Sequence, residues 1–171
     1  MTIQAKLGRC AAVALTITVV SGASAQNITP SHVYQVVDNV NGELALMHEA
    51  NGSKAKMDKK APALTKRRPR HVIQKAREVF SKVQELRKIN GLATNPVPGF
   101  PVREVKPADV KQIVAAILKN VRDLRPKFKI AKPSPNVALA SGKNPTDVYG
   151  NLALSGRQVD GLGIPRVVPN G

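Results

Sequence analysis

The stretch Pro107-Ala108-Asp109-Val110, followed by Val114, Ile117, Val121 and Leu124, decides the fold. From Val110 on, the apolar residues fall at steps of 4, 3, 4 and 3, the spacing of one stripe along a helix. Pro107 stands just ahead of the stripe. There a proline opens a helix without removing a donor the helix needs.

The phrase occurs four times. Pro30, Pro69, Pro107 and Pro145 are 39, 38 and 38 residues apart, a spacing that marks an internal repeat. Valine stands three residues after each proline, as Val33, Val72, Val110 and Val148. The next stripe positions hold Val37, Ala76, Val114 and Leu152, then Val40, Val79, Ile117 and Ser155. Leu44, Val83, Val121 and Val159 follow, then Met47, Leu86, Leu124 and Leu162. Of these 20 positions only Ser155 is plainly polar.

Each unit reads as one helix, over about 30–50, 69–90, 107–125 and 145–161. Thr29 and Asn144 are good N-caps, whereas Arg68 and Lys106 are poor ones. Asn51-Gly52, Asn90-Gly91 and Pro126 supply stops. The fourth helix reads as the weakest, because Gly150, Gly156 and Gly161 each cost about 1 kcal/mol against alanine. A narrow 3–4 stripe is the seam of a coiled coil or bundle, so the expected fold is an all-α four-helix bundle whose copies bury one another.

The connections are long and rich in Pro, Lys and Ala. Antiparallel neighbours need only about 2–8 residues. A linker of about 17 residues, extended at about 3.1 Å per residue, can run back along a whole helix. Both a parallel and an up-and-down layout satisfy these lengths. Phe100 and Phe128 are expected to pin linkers onto the bundle.

Residues 1–25 read as a secretory signal. Lys6 and Arg9 give the positive start, Cys10 to Val20 the apolar run and Ala23-Ser24-Ala25 the cleavage motif. Cys10, the only cysteine, lies inside it. The expected organisation is then a four-repeat domain over 26–165, a flexible tail over 166–171, and a periplasmic or secreted location. With no Trp, two Tyr and three Phe, the core must come from Val, Leu, Ile and Ala, each contributing about 1.5–3 kcal/mol when fully buried.

From residue 26 on, the chain holds 25 Lys and Arg against 11 Asp and Glu, a net of +14. The excess sits in residues 54–143, at Lys54, Lys56, Lys59 and Lys60, at Lys66, Arg67, Arg68 and Arg70, and at Arg122, Arg125, Lys127, Lys129 and Lys132. Such a middle attracts polyanions, and outside the cytoplasm these are lipid or polysaccharide phosphates. Nucleic acid is a poor match, because stacking aromatics are nearly absent.

Two residues after each proline stand His32, His71, Asp109 and Asp147, all of types able to ligate zinc. A parallel layout would gather them at one end. The competing reading puts them at the third helical position, where a carboxylate answers the helix dipole and the orphan N–H groups, and no metal or other cofactor is expected. No Gly-rich phosphate loop, His-Glu-x-x-His, Gly-x-Ser-x-Gly or cysteine nucleophile is present, so no enzyme is expected. The expected function is a binding or scaffold module of a bacterial envelope. The alternative is a structural subunit that completes a helical assembly with itself or with another envelope protein.

Overall fold

A computed structural model describes residues 27–53, 57, 60–62 and 64–163. The expected signal segment, the whole of the expected tail, and Lys54, Lys56 and Lys59 lie outside the described residues. Among the described residues four α-helices form, α1 over Pro30–Ala50, α2 over Pro69–Ile89, α3 over Pro107–Arg122 and α4 over Pro145–Asp160. All four start on the expected proline. The third ends earlier than expected. Pro126 has no N–H for the carbonyl of Arg122 and disfavours a helical Arg125. Leu124 N instead reaches Val121 O at 3.0 Å, and the chain tightens into a 3₁₀ turn over Arg125–Phe128.

All 20 stripe positions are buried; the most open is Leu162, at 7 % exposure. Ser155, the one polar member, is fully buried and donates to Asn41 Oδ1 at 2.6 Å. Asn41 Nδ2 donates in turn to Asn151 Oδ1 at 2.7 Å, and Asn151 Nδ2 to Asp38 Oδ1 at 2.6 Å. A hydrogen-bonded chain thus carries the core hydroxyl's polarity out to a half-buried carboxylate, as a buried polar group requires.

The helices are parallel. Pro30, Val33, Pro69, Val72, Pro107, Val110, Pro145 and Val148, the first turns of all four, line one apolar cavity of about 50 Å³ at one end of the bundle. Around the axis the order is α1, α4, α2, α3, with α1 across from α2 and α3 across from α4. Neighbours meet through equivalent repeat positions. His48, Arg87 and Arg125 each stand 18 residues after their proline. Each reaches the residue 13 after the proline of the next helix. His48 Nε2 meets Gln158 O at 2.7 Å, Arg87 Nη1 donates to Asn120 O at 3.1 Å, and Arg125 binds the Glu43 carboxylate. At the fourth interface Gly163 has no side chain to offer, and Lys82 pairs with Asp160 at 2.6 Å instead. The repeat therefore folds as a single-chain copy of a fourfold bundle.

Parallel helices require each connection to travel the length of the bundle, and the linkers do so as straps. In the strap between α2 and α3, Ala93 O accepts from Arg87, Asn95 N donates to Gln84, and Pro98 O accepts from Arg77. Rising strap numbers thus meet falling helix numbers. In the strap between α3 and α4, Val137 N donates to Asn39 and Lys143 N to Ser31. In the first strap, Lys60 O accepts from Arg157 and Arg67 N donates to Thr146. Phe100 and Phe128 pack on the core as expected.

Three helices exit through one motif. Gly52, Gly91 and Lys129, each 22 residues after its proline, take the left-handed conformation at φ 67°, 69° and 55°. The next N–H returns five residues, from Ser53 to His48 O, Leu92 to Arg87 O and Ile130 to Arg125 O. This is the Schellman closure. Repeats one and two meet it with glycine, and the third with a lysine that pays a Cβ penalty. Gly150 in α4 lies under the first strap, where an added Cβ would sit 3.5 Å from Ala61 and Leu64, an ordinary contact distance.

Candidate functional site

The parallel layout brings His32, His71, Asp109 and Asp147 to one end, as the metal reading required, but it does not turn them toward one another. Each side chain folds back onto its own helix start. Thr29 N donates to His32 Nδ1 and Arg68 N to His71 Nδ1, both at 3.2 Å. Lys106 N donates to Asp109 Oδ2 at 2.8 Å and Asn144 N to Asp147 Oδ2 at 2.9 Å. Among the described residues no three His, Cys, Asp or Glu side chains group closely enough to hold a metal ion.

The position is the returning half of a capping box. A neutral imidazole with a free Nδ1 accepts there as a carboxylate does, which accounts for histidine beside the positive end of a dipole. Only α4 has the outgoing half as well: Asn144 Oδ1 accepts from Thr146 N and Asp147 N. Arg68 and Lys106 have no acceptor to give, as expected of poor caps.

The basic residues divide between the two ends of the bundle, about 30 Å apart for a helix of 21 residues. At the C-terminal end, Arg122 and Arg125 are engaged with Glu43, whose side chain is fully buried. Glu43 holds the Arg125 guanidinium above its ordinary value, by hydrogen bonding first. Lys127, Lys129 and Lys132 are exposed near the same end.

At the N-terminal end, Lys66 and Arg68 are exposed. Arg67 is half-buried, its guanidinium 4.8 Å from the Tyr149 ring centre. Arg70 lies 5.1 Å from the Phe100 ring centre, and Lys143 4.5 Å from that of Tyr34. Lys60 is exposed farther along the first strap.

Around the start of α2, Arg68 and Arg70 border a cleft of about 320 Å³, lined also by Pro69, Val102, Arg103, Glu104 and Val105. Arg103 is held in place by a two-pronged bond to Asp109, Nη1 to Oδ2 at 2.8 Å and Nη2 to Oδ1 at 2.6 Å. That bond is the chief cause of the Asp109 carboxyl lying below the usual carboxylate range, followed by the Lys106 N–H. Arg68 and Arg70 have no acidic partner among the described residues. Val102 is fully exposed at the cleft's edge. Arg103 and Val102 were not legible as site residues: they lie in no charge run, and only the strap's return brings them beside Arg68.

The helix axes add to this charge. Each N-terminus carries roughly half an elementary charge, and four aligned helices put about +2 at the end where Arg68, Arg70, Arg103 and Lys106 stand. Asp109 and Asp147 are the acidic residues in the first turns. The last turns carry His48, Arg87, Lys88, Lys119, Arg122 and Arg157, which answer the opposite pole.

No protein-family model matches this chain, and neither a curated protein nor a solved structure matches it significantly.

Proposed function

We propose that this is an exported, non-enzymatic scaffold module of a bacterial envelope that contacts anionic phosphate-bearing surfaces, end-on, through the N-terminal face of its bundle. The observation that carries the reading is the cleft of Arg68, Arg70 and Arg103 at the positive pole of four parallel helices. Guanidinium forks suit phosphate oxygens, and two of the three have no acidic partner among the described residues. Fully exposed Val102 beside them favours a lipid headgroup layer over a wholly polar polysaccharide, because an apolar tip gains by entering the acyl boundary. The export part rests on residues 1–25 alone.

The alternative, a subunit whose seams a partner completes, loses its motive, because each stripe is already buried within one chain. Co-sedimentation with vesicles containing anionic lipid tests the proposal. Binding should fall steeply between low and physiological salt and should drop in Arg68→Ser/Arg70→Ser. Equal retention on neutral vesicles, or full retention by that double variant, overturns it.

A further inference from the structure

The straps obey the same cyclic order as the helices. The segment leaving α1 lies on α4, against Gly150 and Arg157. The segment leaving α2 lies along α3, where Asn95 meets Asn120 and Phe100 lines a cleft with Gln112 and Ala116. The segment leaving α3 lies on α1, against Gln35, Asn39 and Gly42. In each case the strap leaving one helix covers the next helix in the ring, at positions 5 and 12 or 13 after its proline, and on α3 and α1 also at position 9. By this order the segment leaving α4 belongs on α2.

The corresponding positions of α2 are Gln74, Glu78 and Ser81, and all three are exposed. Beside them the α4–α2 groove holds an open volume of about 240 Å³, lined by Pro62, Lys75, Glu78, Lys82, Ala153, Gly156 and Arg157. Gly156 leaves the groove floor low, with Val79 3.6 Å from where a Cβ would stand. Among the described residues, Pro62 of the first strap is the one strap residue that lines this groove.

We infer that the groove between α4 and α2 is the docking site of the chain's own segment 164–171, which lies outside the described residues. The described chain ends at Gly163, three residues past the end of α4, where Asp160 pairs with Lys82 of α2. The segment's sequence, Ile164-Pro165-Arg166-Val167-Val168-Pro169-Asn170-Gly171, has the spaced prolines and small apolar residues of Asn95-Pro96-Val97-Pro98 and Pro133-Ser134-Pro135-Asn136-Val137. Extended at about 3.1 Å per residue, these eight residues reach about 25 Å, the length of a 16-residue helix at about 1.5 Å per residue. The inference does not depend on the anionic-surface reading.

A nitroxide on Val168→Cys, in the full chain with Cys10→Ser, tests it by paramagnetic broadening of amide signals. Docking predicts selective signal loss at Gln74, Glu78 and Ser81, with Gln112 and Lys119 on α3 unaffected. Equal broadening on both helices, or none on α2, overturns the inference. A mixed sample, isotope-labelled chain with spin-labelled unlabelled chain, separates the other occupant: signal loss there means that the segment docks on a second copy, which also overturns it. Deletion of 164–171 should speed hydrogen exchange at Val79 and Phe80 beneath the groove and leave Ile113 and Val114 unchanged.

Discussion

Replacing Glu43 by alanine should be among the most damaging single changes in this bundle. The carboxylate is fully buried. Oε2 accepts from Arg125 Nε at 2.7 Å, and Oε1 accepts from Arg125 Nη2 and, at 3.2 Å, from Arg122 Nε. Removing one partner of a buried ion pair costs about 3–5 kcal/mol, because the other charge stays behind unpaired. Here the charges left behind are less confined. The Arg125 side chain is 19 % exposed and that of Arg122 38 %, so both guanidinium groups can turn to water. The loss should therefore be about 2–3 kcal/mol, a large part of a domain stability of about 5–15 kcal/mol. At about 2–4 °C per kcal/mol it lowers the melting temperature by roughly 5–10 °C. Urea unfolding of Glu43→Ala, Arg125→Ala and the double variant measures the coupling directly, with about 2 kcal/mol expected. A coupling near zero, or a loss in Glu43→Ala below about 1 kcal/mol, would refute the argument that this pair ties α3 to α1.

Four further outcomes follow from the repeat. Lys129→Gly should stabilise by about 0.5–1 kcal/mol in urea unfolding, since repeats one and two place glycine at the same left-handed position. His71→Asp, copying repeats three and four, should raise the melting temperature through about 0.3–1 kcal/mol of helix-terminus stabilisation. Gly150→Ala should gain most of the alanine propensity advantage of about 1 kcal/mol, because its Cβ would meet Ala61 and Leu64 at ordinary contact distance. Asp38 is raised above the usual carboxylate range, by burial first and against the opposing Asn151 bond and Lys143 charge. The native state then binds this proton more tightly than the unfolded chain, so its contribution is fully present below about pH 3.9 and is lost as pH rises through the native value. Asp38→Asn, which keeps the acceptor for Asn151, should remove that loss when urea curves at pH 4 and 7 are compared; an unchanged pH slope would count against it.

The stripe was legible because burial acts residue by residue. A helix with apolar side chains at 3–4 spacing must cover them, and Val33 through Leu162 are covered whatever direction the helices take. Direction was not legible, because the same linker lengths serve either layout. It is decided by pairings such as Arg125 with Glu43, which lie 82 residues apart and mark no local pattern. His32 and His71 fit their positions only when imidazole is read as an acceptor, neither a cation nor a metal ligand. As acceptors for Thr29 N and Arg68 N they do what Asp109 and Asp147 do. The arginine cleft was half legible: Arg68 and Arg70 stand in a charge run, but Arg103 and Val102 arrive only through the strap's return. Arg122 and Arg125 read as part of a basic cluster, because Glu43 stands 79 and 82 residues away and no local pattern marks it as their partner.

Parallel alignment carries an electrostatic cost that an up-and-down bundle avoids, since four dipoles add instead of cancelling. The repeat answers that cost locally at every helix. The residue two after each proline accepts from the N-cap N–H, proline removes one orphan donor, and basic side chains gather in the last turns. What is left over is a positive N-terminal face, which Arg68, Arg70 and Arg103 strengthen instead of neutralising. A module shaped only for stability would place acids there, as Asp109 and Asp147 do in two of the four repeats. Exchanging Arg68 and Arg70 for glutamate should therefore raise the melting temperature at low salt and abolish retention on anionic vesicles. If both quantities fell together, the arginines would be holding the bundle together, and the case for a surface-contacting face would collapse.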